Sequence, residues 1–215
     1  MNRFAIILLS ALMLAIIGCN NQQSVVKKYY VLENPEDTNF VGTTRGFIDE
    51  FCEVEKVAIY PAFETRQIAN RSQSHQISYY SSHEWAVRPA EVLTNMLVDF
   101  MEEKGMFKRV ATRYWKVSPA YKIETTIYQL EVVNEDNGLA AHLKLEFRLV
   151  NADTQEVLTK YQMNEYKLME EKKINTFATI ISEMFYSALD DFSNKIFQRF
   201  KEKDEIETES EILKL

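Results

Sequence analysis

Glycine is scarce in this chain of 215 residues, which contains only five glycines, four prolines and three histidines. No glycine-rich turn could bring backbone N–H groups against a phosphate, which argues against P-loop and dinucleotide-binding sites. The H-E-x-x-H and C-x-x-C patterns of metal sites are missing, and so is the G-x-S-x-G pattern of hydrolases. We therefore predict that the protein is not an enzyme and that it holds no metal and no cofactor.

The histidines leave one alternative to that view open. His75 and His83 are near enough in sequence to meet across a loop, whereas His142 is distant from both. Exposed polar histidines are far more common than such ligand pairs, so we expect no metal site from them.

Positive charge is also in the minority, because 25 Lys and Arg residues face 32 Asp and Glu residues and the formal net charge is −7. Binding to nucleic acid requires clustered Lys and Arg that neutralise phosphates, so nucleic acid is not an expected partner. The same composition predicts no polybasic patch for an anionic lipid surface.

Cysteine occurs only twice, as Cys19 and Cys52. Cys19 follows Gly18 and an apolar run of about 14 residues, which begins at Phe4 directly after the basic Arg3. That run is shorter than the roughly 20 residues of a membrane-spanning helix. This layout is typical of a bacterial lipoprotein signal peptide, and it makes the Cys19 thiol the predicted point of lipid attachment.

The predicted lipid on Cys19 has consequences for location and for disulfides. In the lipoprotein class that this signal resembles, the cysteine carries three acyl chains, and two or more chains make attachment effectively permanent. Asn20 stands where an aspartate would resemble the signal for inner-membrane retention, so we expect the periplasmic face of the outer membrane. Cys52 is then the only free thiol, which excludes an internal disulfide and predicts a buried structural residue.

The chain divides into four predicted parts: a signal peptide (1–18), a lipidated tether (19–27), a single periplasmic domain (28–203) and an acidic tail (204–215). Within the domain, strands are predicted at 29–32, 54–60 and 76–80. Helical periodicity between Pro89 and Lys104, with Gly105 after it, predicts an amphipathic helix.

A meander of three antiparallel strands is predicted over residues 121–167, with a bulge near Tyr128 where the parity of the apolar residues changes. In its middle strand apolar residues alternate with a polar set, which predicts one face in contact with water; the polar set is His142, Lys144, Glu146 and Arg148. The longest helix is predicted from Asn175 to about Lys203. This order predicts an α+β fold, with an antiparallel or mixed sheet covered by two long helices on one face.

Several segments resemble the auxiliary lipoproteins of ABC-type lipid transport systems, the PqiC-like family. A strand at 57–60 ends in Pro61 and leads to Arg66, Gln67 and Ile68, and after an extended piece Trp85-Ala86 opens a helix. An early Tyr-Tyr-Val-Leu segment at 29–32 follows the lipid-bearing cysteine. The resemblance covers about residues 19–110, and beyond that only the order of elements agrees.

The resemblance implies a lipid-anchored accessory protein that docks or stabilises a transport complex, with an MCE-domain protein and an ABC permease and ATPase as partners. It implies a partner interface at Arg66, Gln67, Ile68 and Trp85, and it allows a homo-oligomer. The residues themselves leave a second view open, in which Trp85 belongs to the core and Arg66 and Gln67 satisfy local backbone groups.

Two alternative functions share the anchor and the α+β body. One is an outer-membrane assembly or structural lipoprotein that supports a barrel or the cell wall. The other is an envelope hydrolase or solute-binding lipoprotein, which requires a concave pocket with converging polar groups. The scarcity of glycine and the missing motifs disfavour the latter.

Overall fold

The computed structural model describes residues 26–35, 47–135, 138–170 and 173–212, with side chains described as far as residue 203 and again at 205. The predicted signal peptide, Cys19 and most of the tether lie outside the described residues. The elements are β1 (Lys28–Tyr30), β2 (Ile48–Val54), β3 (Ala58–Ile59), β4 (Gln67–Gln73), β5 (Gln76–Trp85), α1 (Pro89–Lys104), β6 (Phe107–Ala111), β7 (Tyr121–Glu135), β8 (Gly138–Asn151), β9 (Val157–Leu168) and α2 (Ile174–Ile212).

Strand β7, with 15 residues, organises the sheet. On one edge it pairs antiparallel with β8 along its whole length, and β9 continues antiparallel beyond β8. On its other edge β7 pairs with β2, β3 and β4, all parallel to it and at successive heights. β6 lies beyond β2, and β5 and then β1 lie beyond β4. The result is a mixed sheet of nine strands, as the α+β prediction required.

Helix α1 begins and ends at the predicted residues. Pro89 occupies its first turn, where the missing N–H costs no hydrogen bond. Gly105 ends it in the left-handed conformation, with φ 62° and ψ 26°, which a residue without Cβ adopts most readily. Leu93, Leu97 and Phe100 are fully buried on the inner face of the helix.

Helix α2 covers β8 and β9 and also contacts α1, so both helices lie on the same face of the sheet. The Phe147 ring of β8 lies 5.8 Å from the Phe185 ring and 5.2 Å from the Phe192 ring of α2. This core is where the largest buried side chains meet. None of the helices in the described part of the chain combines the length and the hydropathy needed to cross a membrane.

The strand predictions were confirmed in the meander and were less accurate before it. The pairing of β7 with β8 shifts register between Ile127 and Gln129, which confirms the predicted bulge. The strand predicted at 54–60 is divided between β2 and β3, because residues 55–57 leave the ladder. Strands β4 and β6 were not predicted, and α2 continues to Ile212 through the segment expected to be a tail.

The predicted water-exposed face of β8 was wrong at two of its four positions. His142 is 1% exposed and Glu146 is 9% exposed. Each is covered by side chains of neighbouring strands, since Tyr166 stacks on the His142 ring and Gln162 donates a hydrogen bond to Glu146. Polar side chains of the neighbouring strand therefore shield part of the polar face of β8 from water.

Candidate functional site

The four residues predicted as a partner interface separate into two groups. Ile68 is fully buried in β4, and Trp85 is 3% exposed at the end of β5. The Trp85 ring lies 5.7 Å from the Phe177 ring of α2, so the indole joins the end of β5 to the start of the last helix. Of the four residues, only Arg66 and Gln67 are exposed.

Arg66 connects three parts of the N-terminal corner. Its Nε donates to the Trp85 carbonyl oxygen at 3.0 Å, while its own carbonyl accepts from the Trp85 N–H at 2.7 Å. Its guanidinium carbon lies 5.5 Å from the centre of the Tyr29 ring, within the range of a cation–π interaction. Gln67 directly follows and receives local support, because its N–H donates to the Thr65 hydroxyl at 3.2 Å. Arg66 therefore stabilises the backbone at Trp85, and its side chain is also exposed to solvent.

The first ordered strand is fastened to β5 by side chains as well as by the ladder. Lys27 forms an ion pair with Glu84, and the hydrogen bond that Lys27 donates to this carboxylate raises the pKa of Lys27. The Tyr30 hydroxyl lies 2.8 Å from His83 Nδ1. Burial lowers the pKa of His83, and the charge of Lys28 lowers it further. The point where the predicted tether joins the body is thus fixed to the sheet.

A groove of about 570 Å³ runs between this N-terminal segment and the beginning of α2. Its walls include Tyr29, Val31 and Glu33 on one side and Asn175, Thr179 and Glu183 on the other. The Glu33 N–H donates to the Ser182 hydroxyl at 3.2 Å, and this hydrogen bond links the two sides of the groove. The described lining residues carry two carboxylates, two phenols and two aliphatic hydroxyls, and none of them is a cysteine, histidine or lysine.

A cluster of charged groups lies on the side of the sheet opposite the helices. Glu131 of β7 is fully buried, and its Oε1 accepts a hydrogen bond from Arg71 Nε at 2.8 Å. His142 Nδ1 lies 3.3 Å from the same oxygen, and His142 Nε2 lies 2.9 Å from Asn164 Oδ1. The Tyr166 ring stacks on the imidazole with 3.8 Å between centroids. These five side chains come from β4, β7, β8 and β9, and we call them the Glu131 cluster.

The electrostatics of the Glu131 cluster favour a carboxylate. Burial alone raises the pKa of Glu131, but hydrogen bonds from His142 and Arg71, together with their charges, bring that pKa below its ordinary value. Glu131 Oε2 has no hydrogen-bond partner among the described residues. Sequence reasoning missed this cluster because its members are spread over four strands. The one available signal was the parity change in β7, which moves Glu131 onto the face of His142.

The remaining predicted features lie apart from one another. His75 pairs with the Ser74 hydroxyl, whereas His83 pairs with Tyr30. In the described part of the chain, no three His, Cys, Asp or Glu residues converge as metal ligands do. Cys52 is fully buried in β2, and burial raises the pKa of its thiol.

The sequence matches one family model along most of its length. That model, for the ABC-type transport auxiliary lipoprotein component, matches residues 30–191. The match begins at the last residue of β1 and ends within α2, so it includes β2 to β9, α1 and the first part of α2. Among curated proteins no sequence matches this chain.

Solved structures share the fold at low identity. The crystal structure of XCC0632 from Xanthomonas campestris, assigned to the family-model DUF330, has a TM-score of 0.67 at 14% identity and covers 83% of this chain and 99% of its own. An uncharacterized protein has a TM-score of 0.63 at 14% identity, with 80% and 99% covered. The PelC dodecamer from Paraburkholderia phytofirmans has a TM-score of 0.40 at 11% identity, with 69% and 91% covered, which is too low to support an inference.

Proposed function

Because this chain belongs to the family of ABC-type transport auxiliary lipoprotein components, we propose that it is the lipid-anchored accessory subunit of an MCE and ABC-type system that moves phospholipid between membranes. The observation that carries the proposal is the match of the family model to residues 30–191, which form most of the folded body. In this role the chain docks or stabilises the complex, while other subunits supply the ATPase and the lipid carrier.

The anchor in this proposal is the Cys19 thioether, at the periplasmic face of the outer membrane. Strand β1 begins nine residues after Cys19. A fully extended chain spans at most about 3.3–3.6 Å per residue, so the body remains within roughly 30 Å of the lipid. The ion pair of Lys27 with Glu84 supports this geometry because it fixes the end of the tether to the sheet.

An accessory role agrees with the arrangement of the described side chains. Among the described residues the groove beside α2 is lined by no cysteine, histidine or lysine, and the charged cluster behind the sheet is closed by Tyr166. Arg66 and Gln67 remain exposed on the corner where the resemblance implied an interface. The contribution of Ile68 and Trp85 to docking is then indirect, since both are buried and shape the corner from inside.

The test is a pull-down of the lipidated protein from its own envelope, in mild detergent after light crosslinking, with mass spectrometry of proteins and lipids. We expect an MCE-domain protein and an ABC permease to be recovered with the wild type. Cys19→Ala, which removes the anchor and leaves the body unchanged, should reduce that recovery strongly. Recovery of barrel or cell-wall proteins alone would replace lipid transport by the assembly or structural function.

A further inference from the structure

A basic segment stands out in this acidic chain. Between Glu103 and Glu124 the sequence contains no Asp or Glu, although the formal net charge of the chain is −7. Over the same stretch it contains six basic residues, namely Lys104, Lys108, Arg109, Arg113, Lys116 and Lys122. The composition of the whole chain does not reveal this local run of positive charge.

Half of these basic residues are neutralised within the fold. Lys104 pairs with Asp190, Lys108 with Asp49 and Lys122 with Glu55. The other three, at 109, 113 and 116, are exposed and form no ion pair with any described residue. They belong to the end of β6 and to residues 112–120, which connect β6 to β7 and which we call the basic loop.

Trp115 lies at the centre of the basic loop and is 82% exposed. Burial of a tryptophan side chain against a partner removes a large apolar area from water. Trp115 is exposed here, so the free energy of that burial remains available for binding. The Arg113 guanidinium lies 4.2 Å from the centre of the indole and stacks on it. Val117, 45% exposed, adds a second apolar side chain to the same loop.

The basic loop is attached to the sheet at several points. The Tyr114 hydroxyl donates to the Arg109 carbonyl at 2.9 Å, and the Tyr114 ring packs edge-on against Phe51 at 5.3 Å. At its other end, the Ala120 N–H donates to the Phe51 carbonyl at 3.1 Å. Of the acidic side chains nearby, Glu102 already accepts the Val110 N–H at 2.6 Å. Trp115 is thus presented by a fixed scaffold, which reduces the entropy lost on binding.

The position of the basic loop separates it from the lipidated end. Pairing places Tyr29 beside Glu84, Glu84 opposite Gln67, and Ala69 level with Glu131 near the top of β7. The loop instead joins β7 at its first residue, Tyr121. Because Gln67 precedes Ala69 by two residues in a strand parallel to β7, Tyr29 is level with about Gln129. The two levels therefore differ by about eight residues, or roughly 26 Å at the rise of a β-strand.

We infer that the basic loop is a docking site for the acidic surface of a partner protein that has an apolar slot for Trp115. Charge complementarity favours an acidic partner, because three basic side chains here have no counterion among the described residues. Tryptophan and arginine are also the residues that most often dominate the binding energy of protein interfaces. A bilayer is disfavoured because only Trp115 and Val117 could insert and because the loop lies far from the anchor.

The inference rests on the proposed function only for the identity of the partner. The test uses the full lipidated chain with a photo-crosslinking phenylalanine at position 115, irradiated in the native envelope. The matched control carries the same group at Tyr60, which is 60% exposed and lies outside the basic loop. We expect a protein adduct at 115 that is absent at 60 and that disappears when Arg113→Glu and Lys116→Glu are added.

A second measurement uses wild-type side chains. Trp115→Ala should lower the recovery of the crosslinked protein in the envelope pull-down by about tenfold or more, whereas Tyr60→Ala should leave it unchanged. Equal thermal unfolding of both variants would show that the fold is intact. If the adduct is not an MCE or ABC component, the docking site stands and the proposed function fails.

Three results would overturn the docking site. The first is an adduct at 115 with lipid only, which would assign the basic loop to a membrane surface. The second is an adduct with another copy of this chain, which would assign it to self-association. The third is labelling at 115 no stronger than at 60, together with unchanged recovery after Trp115→Ala.

Discussion

The Glu131 cluster gives a quantitative prediction about stability, through the substitution Arg71→Leu. Arg71 is the donor that lies 2.8 Å from Glu131 Oε1, and the Glu131 side chain has no exposed surface. Removing one partner of a buried ion pair leaves the other charge uncompensated, which costs about 3–5 kcal/mol. Because His142 stays beside the same oxygen, we expect a loss near the lower end, about 3 kcal/mol, in the free energy of unfolding at pH 7.

The matched control is Arg148→Leu. Arg148 pairs with Glu124 on the same side of the sheet, but its side chain is 42% exposed compared with 20% for Arg71. Exposed ion pairs contribute roughly 0–1 kcal/mol because water and salt screen them. Urea denaturation of both variants, with midpoint and slope fitted together, distinguishes this small loss from the larger one expected for Arg71→Leu.

The loss caused by Arg71→Leu should also depend on pH. The folded protein lowers the pKa of Glu131, so ionisation of Glu131 stabilises the fold fully above the unfolded value of about 4.3. This contribution disappears as the pH falls through the lower folded pKa. Arg71→Leu removes one of the groups that lower the pKa, so wild type and variant should approach each other below about pH 4. An equal loss at pH 7 and pH 3.5, or a loss no greater than that of Arg148→Leu, would refute the reasoning.

Three further predictions concern residues outside that cluster. Trp85→Ala should lower the free energy of unfolding by about 3–5 kcal/mol in urea denaturation, because the indole is 3% exposed against Phe177; a loss below 1 kcal/mol would contradict a core role. Cys19→Ala should abolish metabolic labelling with radioactive acyl chains, and unchanged labelling would refute the anchor. Cys52 should react with a thiol reagent only after unfolding in urea, since its thiol is buried and its pKa is raised; fast reaction of the folded protein would show an opening of β2.

The sequence predicted those elements whose boundaries are set by local chemistry. Helix α1 was predicted to the residue because Pro89 and Gly105 mark its ends and apolar residues recur between them. The bulge in β7 was predicted because a change of parity at Tyr128 requires one. In both cases the information lies within a few consecutive residues.

The missed elements depend on contacts that a local pattern does not contain. Strand β4 reads Gln-Ile-Ala-Asn-Arg-Ser-Gln, with only Ile68 and Ala69 buried. It is a strand because β7 and β5 pair with it on both sides. Similarly, the alternation in β8 assigns His142 to the polar face but does not reveal that Tyr166 and Glu131 cover it. The extension of α2 follows from spaced opposite charges such as Lys201 and Glu205, which support a helix at i and i+4.

The sheet holds the first strand and the basic loop at different levels. Both helices cover one face of this sheet, and β7, with 15 residues, is the longest of the described strands. The tether leads into β1, which is level with about Gln129 of β7, and the basic loop joins β7 at Tyr121; each is fixed to strands by hydrogen bonds. A strand resists compression far better than a flexible linker. In the proposed complex, the sheet therefore sets the distance between the first strand and the basic loop, and the tether adds up to roughly 30 Å between the first strand and the membrane anchor.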